Sequence, residues 1–221
     1  QNGTVVSVSK EAEDEGLRRG MKVSLARRMS HGAQLLPYNQ SLYARLNQYI
    51  YSTIQRFTPI VEPSGYGKFY LDMTGMERIY KSHEQAGSNI SKLVQDHVGL
   101  NPVLGISQNK LVSRISTSVV PDTIHRIMAG NETQFLSPLD TLVIPTVHEP
   151  TVWKLIKFLI LNQVRQIQAL VNSATDTRRL FGRYALPLSR EVHGQDFSVV
   201  RPFFMKDHIV EQTVLTEDTN D

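Results

Sequence analysis

Residues 61–75, VEPSGYGKFYLDMTG, carry two carboxylates, Glu62 and Asp72, on either side of the run Gly65-Tyr66-Gly67-Lys68. Clustered carboxylates can hold the pair of divalent ions that clamps the attacking and leaving oxygens in phosphoryl transfer. The run between them supplies nothing for that purpose, because glycine has no ligand atom and the Lys68 ammonium repels cations. Alternate residues of a strand share a face, which places Asp72 with Lys68 and Tyr70. A Lys68–Asp72 salt bridge is therefore the competing reading of a metal site here, and an exposed pair of that kind adds little stability.

Elsewhere the chemistry-bearing residues are basic. Arg18, Arg19, Arg27 and Arg28 form one cluster, and Arg178, Arg179 and Arg183 form another in RRLFGRY. Either could meet phosphates, and either could be an ordinary solvated helix face. His31, His83, His97, His125, His148, His193 and His208 are scattered without metal-ligand spacing. With no cysteine, disulfides and cysteine-ligated zinc or iron–sulfur sites are excluded. No Ser/His/Asp arrangement and no phosphate-cradling glycine loop stands out.

These residues need elements to position them. TVVSVS (residues 4–9) is β-branched and alternating and predicts a strand. KEAEDEGLRRGMKVSLARRMS, punctuated by Gly16 and Gly20, predicts two short helices. In SLYARLNQYIYSTIQRF the positions Leu42, Leu46, Tyr49, Ile50, Ile54 and Phe57 give an amphipathic helix. IVEP and KFYLDMT read as strands around a glycine-rich turn, and HEQAGSNISKLVQDHVG as a helix ending at Gly99. NPVLGIS is a short strand, and QNKLVSRISTSVV a helix stopped before Pro121. Beyond Gly130 short apolar pieces predict a bundle of small helices, in which Trp153, Ile156, Ile160, Val164 and Ile167 form one core stripe. HIVEQTVLTEDTND predicts a last strand leaving into an acidic end. Helices and strands mix without a regular βαβ alternation, so the class is α+β.

The chain has 221 residues, 40% hydrophobic and 20% charged, which suits one large or two to three small domains of ordinary globular composition. No run approaches the roughly 18 apolar residues of a membrane span. Net charge is +3, a mild basic bias that permits contact with nucleic acid without requiring it. The first residues contain neither a start methionine nor a signal peptide and read as the interior of a longer protein.

In this order the pieces resemble the Y-family DNA polymerases, the translesion enzymes of the DinB/UmuC type. GTVVSVSKEAEDEGLRRGM resembles the entry to the fingers, YLDMTG the end of the catalytic strand, and GISQNK (residues 105–110) the Gly-Ile-Ser-x-Asn-Lys motif. FLSPLDTLVIP resembles the crossing into the thumb, and LFGRYALPLSREVHGQDFSVVRP the thumb's final helices. The resemblance implies fingers at 1–38, palm at 39–128, a helix–hairpin–helix thumb at 129–203, and at 204–221 a linker towards a little finger. The family's first palm strand, with one metal-binding Asp, would precede Gln1. Residues 69–73 are expected to pair beside 103–106.

Set on Tyr70-Leu71-Asp72, the resemblance puts Gly67 at the metal-ligand Asp and Lys68 at the catalytic Glu. It most resembles the catalytically inactive ImuB-type members and implies a DNA-binding adaptor in bacterial damage-induced translesion synthesis and mutagenesis. No cofactor is implied, and Mg2+ enters only under the alternative of an active polymerase with atypical ligands. A plain DNA-binding module is the third reading. Implied partners are DNA, the sliding clamp, an error-prone replicative-type polymerase and a RecA-like accessory protein, in the bacterial cytoplasm at the nucleoid.

Lys10 and Glu13 stand where the family has Tyr and Arg on the triphosphate, so Lys10 is a residual contact and Glu13 a repulsive one. Lys110 could hold a phosphate as the family's Lys does, or simply open a helix in solvent. DNA contacts fall to Arg18, Arg19, Arg178, Arg179, Gly182 and Arg183. The first thumb turn, TVHEPTV, lacks the family's glycines and adds Glu149, which weakens its grip on phosphate; the second, at Phe181-Gly182, is better kept.

Overall fold

The computed structural model describes residues 3–30, 32–120 and 123–202, which fall into two compact units, residues 1–46 and 47–221. His31, His208, the predicted last strand and the linker lie outside the described residues.

In the first unit, α1 (Lys10–Asp14) is capped by Ser9, whose Oγ accepts from the Ala12 N–H at 3.3 Å. The second helix is α2 (Val23–Met29). The predicted strand at 4–9 does not form. Thr4 makes one antiparallel bridge to Lys22, and Val5 exchanges backbone bonds with Gly20 and Met21. The partner segment is a turn, too short to support a ladder, and Ser9 is drawn off as a helix cap.

α3 (Gln40–Ile54) forms where predicted and buries Ile50 and Ile54, with Leu46 partly buried, but Leu42 and Tyr49 of the predicted stripe are exposed and Phe57 lies past its end. In the second unit, β1 (Val61–Pro63) pairs antiparallel with β2 (Phe69–Leu71), with Glu62 opposite Tyr70. α4 (His83–Val98) is closed at one end by Ser82 and at the other by Gly99 at φ 74°, a left-handed position that suits glycine. β3 (Leu104–Ile106) leads into α5 (Lys110–Val119), capped by Asn109, and pairs in parallel with β4 (Ile124–Arg126). α4 packs on this pair so closely that a Cβ at Gly87 would lie 3.2 Å from Ile124 and 3.3 Å from Ile106. Gly105 has no room for a Cβ at all, since Ser116 Oγ and Ser113 O of α5 occupy its place.

β1–β2 and β3–β4 are separate two-stranded sheets. Residues 69–73 and 103–106 are therefore not hydrogen-bonded neighbours. Both segments line one cleft of about 1640 Å3, with α4 and α5 also lining it.

The remaining helices are α6 (Glu132–Leu136), α7 (Pro150–Phe158), α8 (Val164–Val171), α9 (Ala174–Phe181) and α10 (Ala185–Val192). They bury one continuous apolar core with α5, in which Val112, Leu136, Ile156, Ile167 and Leu188 are almost wholly inaccessible. Each such side chain contributes about 1.5–3 kcal/mol. The expected stripe holds at Ile156, Val164 and Ile167 but breaks at Ile160, which is exposed beyond the end of α7. The helix stops at Leu159, and that stop turns Ile160 outward.

Candidate nucleic-acid interface

Ser64–Lys68 form a tight turn between β1 and β2. Ser64 N–H donates to Lys68 O at 2.8 Å, and Gly65 and Gly67 take φ of 126° and 69°. Gly67 N–H donates to Asn47 Oδ1 at 2.8 Å. The turn thus uses glycine's freedom at the position that the resemblance gives to a metal-ligand Asp.

Lys68 is exposed and the expected pair with Asp72 is not made. Asp72 Oδ1 instead accepts from Thr74 N–H at 2.9 Å, closing the turn after β2. The donor set does not suit a divalent pair: Gly67 offers no ligand and Lys68 is cationic. Asp72 is spent on the backbone and Glu62 on Lys110. Among the described residues no three His, Asp or Glu side chains converge as a metal cluster.

Lys110 lies at the start of α5 with its Nζ 2.9 Å from both carboxylate oxygens of Glu62 and 5.2 Å from the centre of the Tyr70 ring. Arg201 N–H donates to Glu62 Oε2 at 2.7 Å. Burial pushes the Glu62 carboxyl up, but the Arg201 N–H and the Lys110 ammonium outweigh it and hold the group below the usual carboxylate range. The next free N–H of α5, that of Leu111, donates to Asp196 Oδ2 at 3.1 Å. A helix N-terminus with an adjacent lysine is suited to phosphate, and here both parts are engaged by the chain's own carboxylates.

The turn at 146–152, which the resemblance gives to the first hairpin of a thumb, shows the same pattern. It is a 3-10 turn, Pro145–His148, leading directly into α7. Thr146 N–H donates to Glu191 Oε2 at 2.8 Å, and His148 Nε2 meets Leu142 O at 2.9 Å. Glu149, at the cap of α7, accepts from Tyr184 Oη at 3.0 Å, and that hydroxyl accepts from Arg183 at 2.6 Å. The Tyr184 hydroxyl and, secondarily, the Glu149 charge raise the Arg183 pKa above its ordinary value. Arg183 is thereby tied across the two turns. Sequence reasoning missed Glu191 and Asp196; no local spacing links either to the N–H it serves 45 and 85 residues away.

Other predicted contacts divide similarly. Lys10 pairs with Asp14 at 3.1 Å on an exposed helix face, and Glu13 caps nothing with its side chain while its carbonyl accepts from Arg18 at 2.5 Å. Arg18 also donates to Leu17 O at 2.8 Å, so it closes the end of α1. Arg19, Arg178 and Arg179 are exposed. Gly182 ends α9 at φ 54°. Exposed cations open to a polyanion thus include Arg19 in the first unit and, separately in the second, Arg178 and Arg179 on α9.

Two small two-stranded sheets with helices against them, followed by a compact bundle of short helices, make an α+β body that agrees with the Y-family polymerase fold. The chain belongs to the impB/mucB/samB family, that of the Y-family DNA polymerases; the family model matches residues 1–118. DNA polymerase IV of Dehalococcoides mccartyi is 29% identical over 220 residues, covering 99% of this chain and 56% of the relative. DNA polymerase IV of Desulfatibacillum aliphaticivorans is 27% identical, covering 90% and 50%. Among solved structures, DinB from Sulfolobus solfataricus superposes with a TM-score of 0.74 at 20% identity, over 90% of this chain and 58% of that one. An insertion ternary complex of Dbh DNA polymerase gives 0.75 at 19%, over 90% and 58%. The chain spans between half and three-fifths of the length of these proteins.

Proposed function

We propose that this protein is a non-catalytic Y-family body that serves as a DNA-binding adaptor in bacterial damage-induced translesion synthesis. The observation that carries the reading is the turn at Gly67 and Lys68. A left-handed glycine and an unpaired ammonium stand at the positions of a metal ligand and a catalytic acid. The engagement of Lys110 by Glu62 points the same way, since it removes the lysine that would meet a triphosphate. Binding to DNA is supported by kinship with DNA polymerases IV and by the exposed Arg178 and Arg179. In this reading fingers, palm and thumb keep the 1–38, 39–128 and 129–203 division, and a strand between residues 69–73 and 103–106 would complete the palm sheet. The sliding clamp, an error-prone replicative-type polymerase and a RecA-like protein are the partners, met at the nucleoid in the cytoplasm.

One observation favours the alternative of an active enzyme: the relatives matched over nearly the whole chain are named DNA polymerase IV. Primer extension by the full-length protein with Mg2+ or Mn2+ separates the two. The adaptor reading expects no extension and no calorimetric signal from metal with nucleotide; robust extension sinks it. DNA binding is measured separately. The Arg178→Ala/Arg179→Ala variant should weaken binding to all sequences alike and reduce the slope of log K against log salt by about 2, at roughly 0.9 per phosphate contact. An unchanged slope would remove α9 from the interface.

A further inference from the structure

We propose that the exposed turn at the end of α7 is an apolar wedge that enters duplex DNA and unstacks a base step, with Lys154 and Lys157 on the flanking phosphates. It rests on the reading that the protein binds DNA, but places a contact at the opposite end of α7 from the turn at 146–152.

The geometry begins with Ile160. Among the described residues it alone has a positive φ without being glycine, at 54°. It occupies the left-handed position of a helix-ending motif: Leu161 N–H reaches back to Ile156 O at 3.0 Å, and Ile160 N–H to Lys157 O at 3.1 Å. That conformation is costly for a β-branched side chain. Packing returns nothing for it, because Ile160 is 71% exposed and Phe158 beside it is 81% exposed. The turn is nevertheless firm: Gln166 Oε1 accepts from Asn162 N–H at 2.8 Å and from Gln163 N–H at 2.9 Å. Two large apolar side chains are therefore held outward on a fixed support.

An apolar pair by itself suits a protein pocket as well as a nucleic acid. Charge decides between them. Lys154 and Lys157 are exposed on the preceding turn, Lys157 resting 4.7 Å from the Trp153 ring centre. No Asp or Glu occurs from residue 150 to 175. Asp140, whose backbone bridges to Gln163, spends Oδ1 on the Leu142 N–H at 2.8 Å. An exposed apolar tip flanked by two lysines, with Asp140 the carboxylate placed near it, matches a polyanion that can be pried apart. Apolar side chains inserted between base steps, with cationic neighbours, are a general means of kinking DNA.

The test uses the protein with a duplex of about 20 base pairs carrying 2-aminopurine beside a central TA step, which unstacks readily, and a dye at each end. Binding of the wild type should raise 2-aminopurine emission and shorten the end-to-end distance. Phe158→Ala/Ile160→Gly should abolish both signals and weaken binding about tenfold while leaving the salt slope unchanged. Lys154→Ala/Lys157→Ala should cut the slope by about 2. Circular dichroism should show both variants folded, since all four side chains are exposed. Binding without any emission change, or undiminished in the apolar double variant, overturns the wedge and leaves a protein partner as the occupant of this surface. No duplex binding by the wild type overturns the DNA reading itself.

Discussion

The Glu62–Lys110 pair should behave as a structural clasp, and a double-mutant cycle measures it. The two side chains are only 23% and 16% exposed and meet through both carboxylate oxygens. At 4 Å and an effective dielectric near 20 the attraction is about 4 kcal/mol. Desolvation and the ordering of the lysine, about 1.5–2 kcal/mol, consume much of it. A coupling of about 1–2 kcal/mol remains. Lys110→Met leaves Glu62 half-buried with only the Arg201 N–H and should cost about 2–3 kcal/mol, a fall in Tm of roughly 4–12 °C for a chain of this size. Glu62→Gln should cost less, and the double variant less than the sum. Because the folded Glu62 carboxyl is held below its ordinary value, its contribution is complete above the unfolded pKa, about 4.3. It is lost as pH falls through the lower folded value. Urea unfolding of all four proteins should therefore show wild-type stability dropping more steeply than that of Lys110→Met below about pH 4. Additivity within about 0.5 kcal/mol, or identical acid profiles, would refute the clasp.

Ile156→Ala should cost about 2–5 kcal/mol, whereas Ile160→Gly, relieving about 1–2 kcal/mol of left-handed strain, should stay within about 1 kcal/mol of wild type by denaturant titration. Gly105→Ala must displace α5 from β3 and should cost about 3 kcal/mol or prevent folding, visible as lost soluble protein or a lowered Tm. Gly67→Asp/Lys68→Glu should fail to restore primer extension, because Asp72 and Glu62 stay committed to Thr74 and Lys110; extension by that variant would mean these bonds yield to metal.

Where function is concerned, the sequence was most legible in short range. The helices at 40–54, 83–98 and 110–119 announce themselves in the sequence through apolar spacing, the Gly99 stop and the Pro121 stop, while the caps at Ser82 and Asn109 emerge only in the structure. The absence of acids at Gly67 and Lys68 was equally plain. What the sequence hid depends on distance along the chain. Nothing local says that Asp196 will close the start of α5 or that Glu191 will take the Thr146 N–H, because such bonds follow from packing the helices together. The Lys68–Asp72 pairing failed for a different reason: a nearer backbone donor, Thr74 N–H, competed for the carboxylate and won. Ile160 deceived by hydrophobicity, since a helical repeat cannot foresee a helix stop that has no glycine to mark it.

The apolar core shared by α5 and α6 through α10 has a mechanical consequence. A helical lobe that pivots on a neighbouring helix needs a seam of weak contacts to act as a hinge. Here Leu111, Val112 and Ile115 of α5 interlock with the later helices, and Asp196 and Arg201 pin the end of the described chain back onto α5 and β1. Hydrogen exchange should find the amides of α5 and of α6 through α10 opening together, as one cooperative block. Whatever meets α5 or the later helices therefore meets side chains whose spacing the shared core has already set.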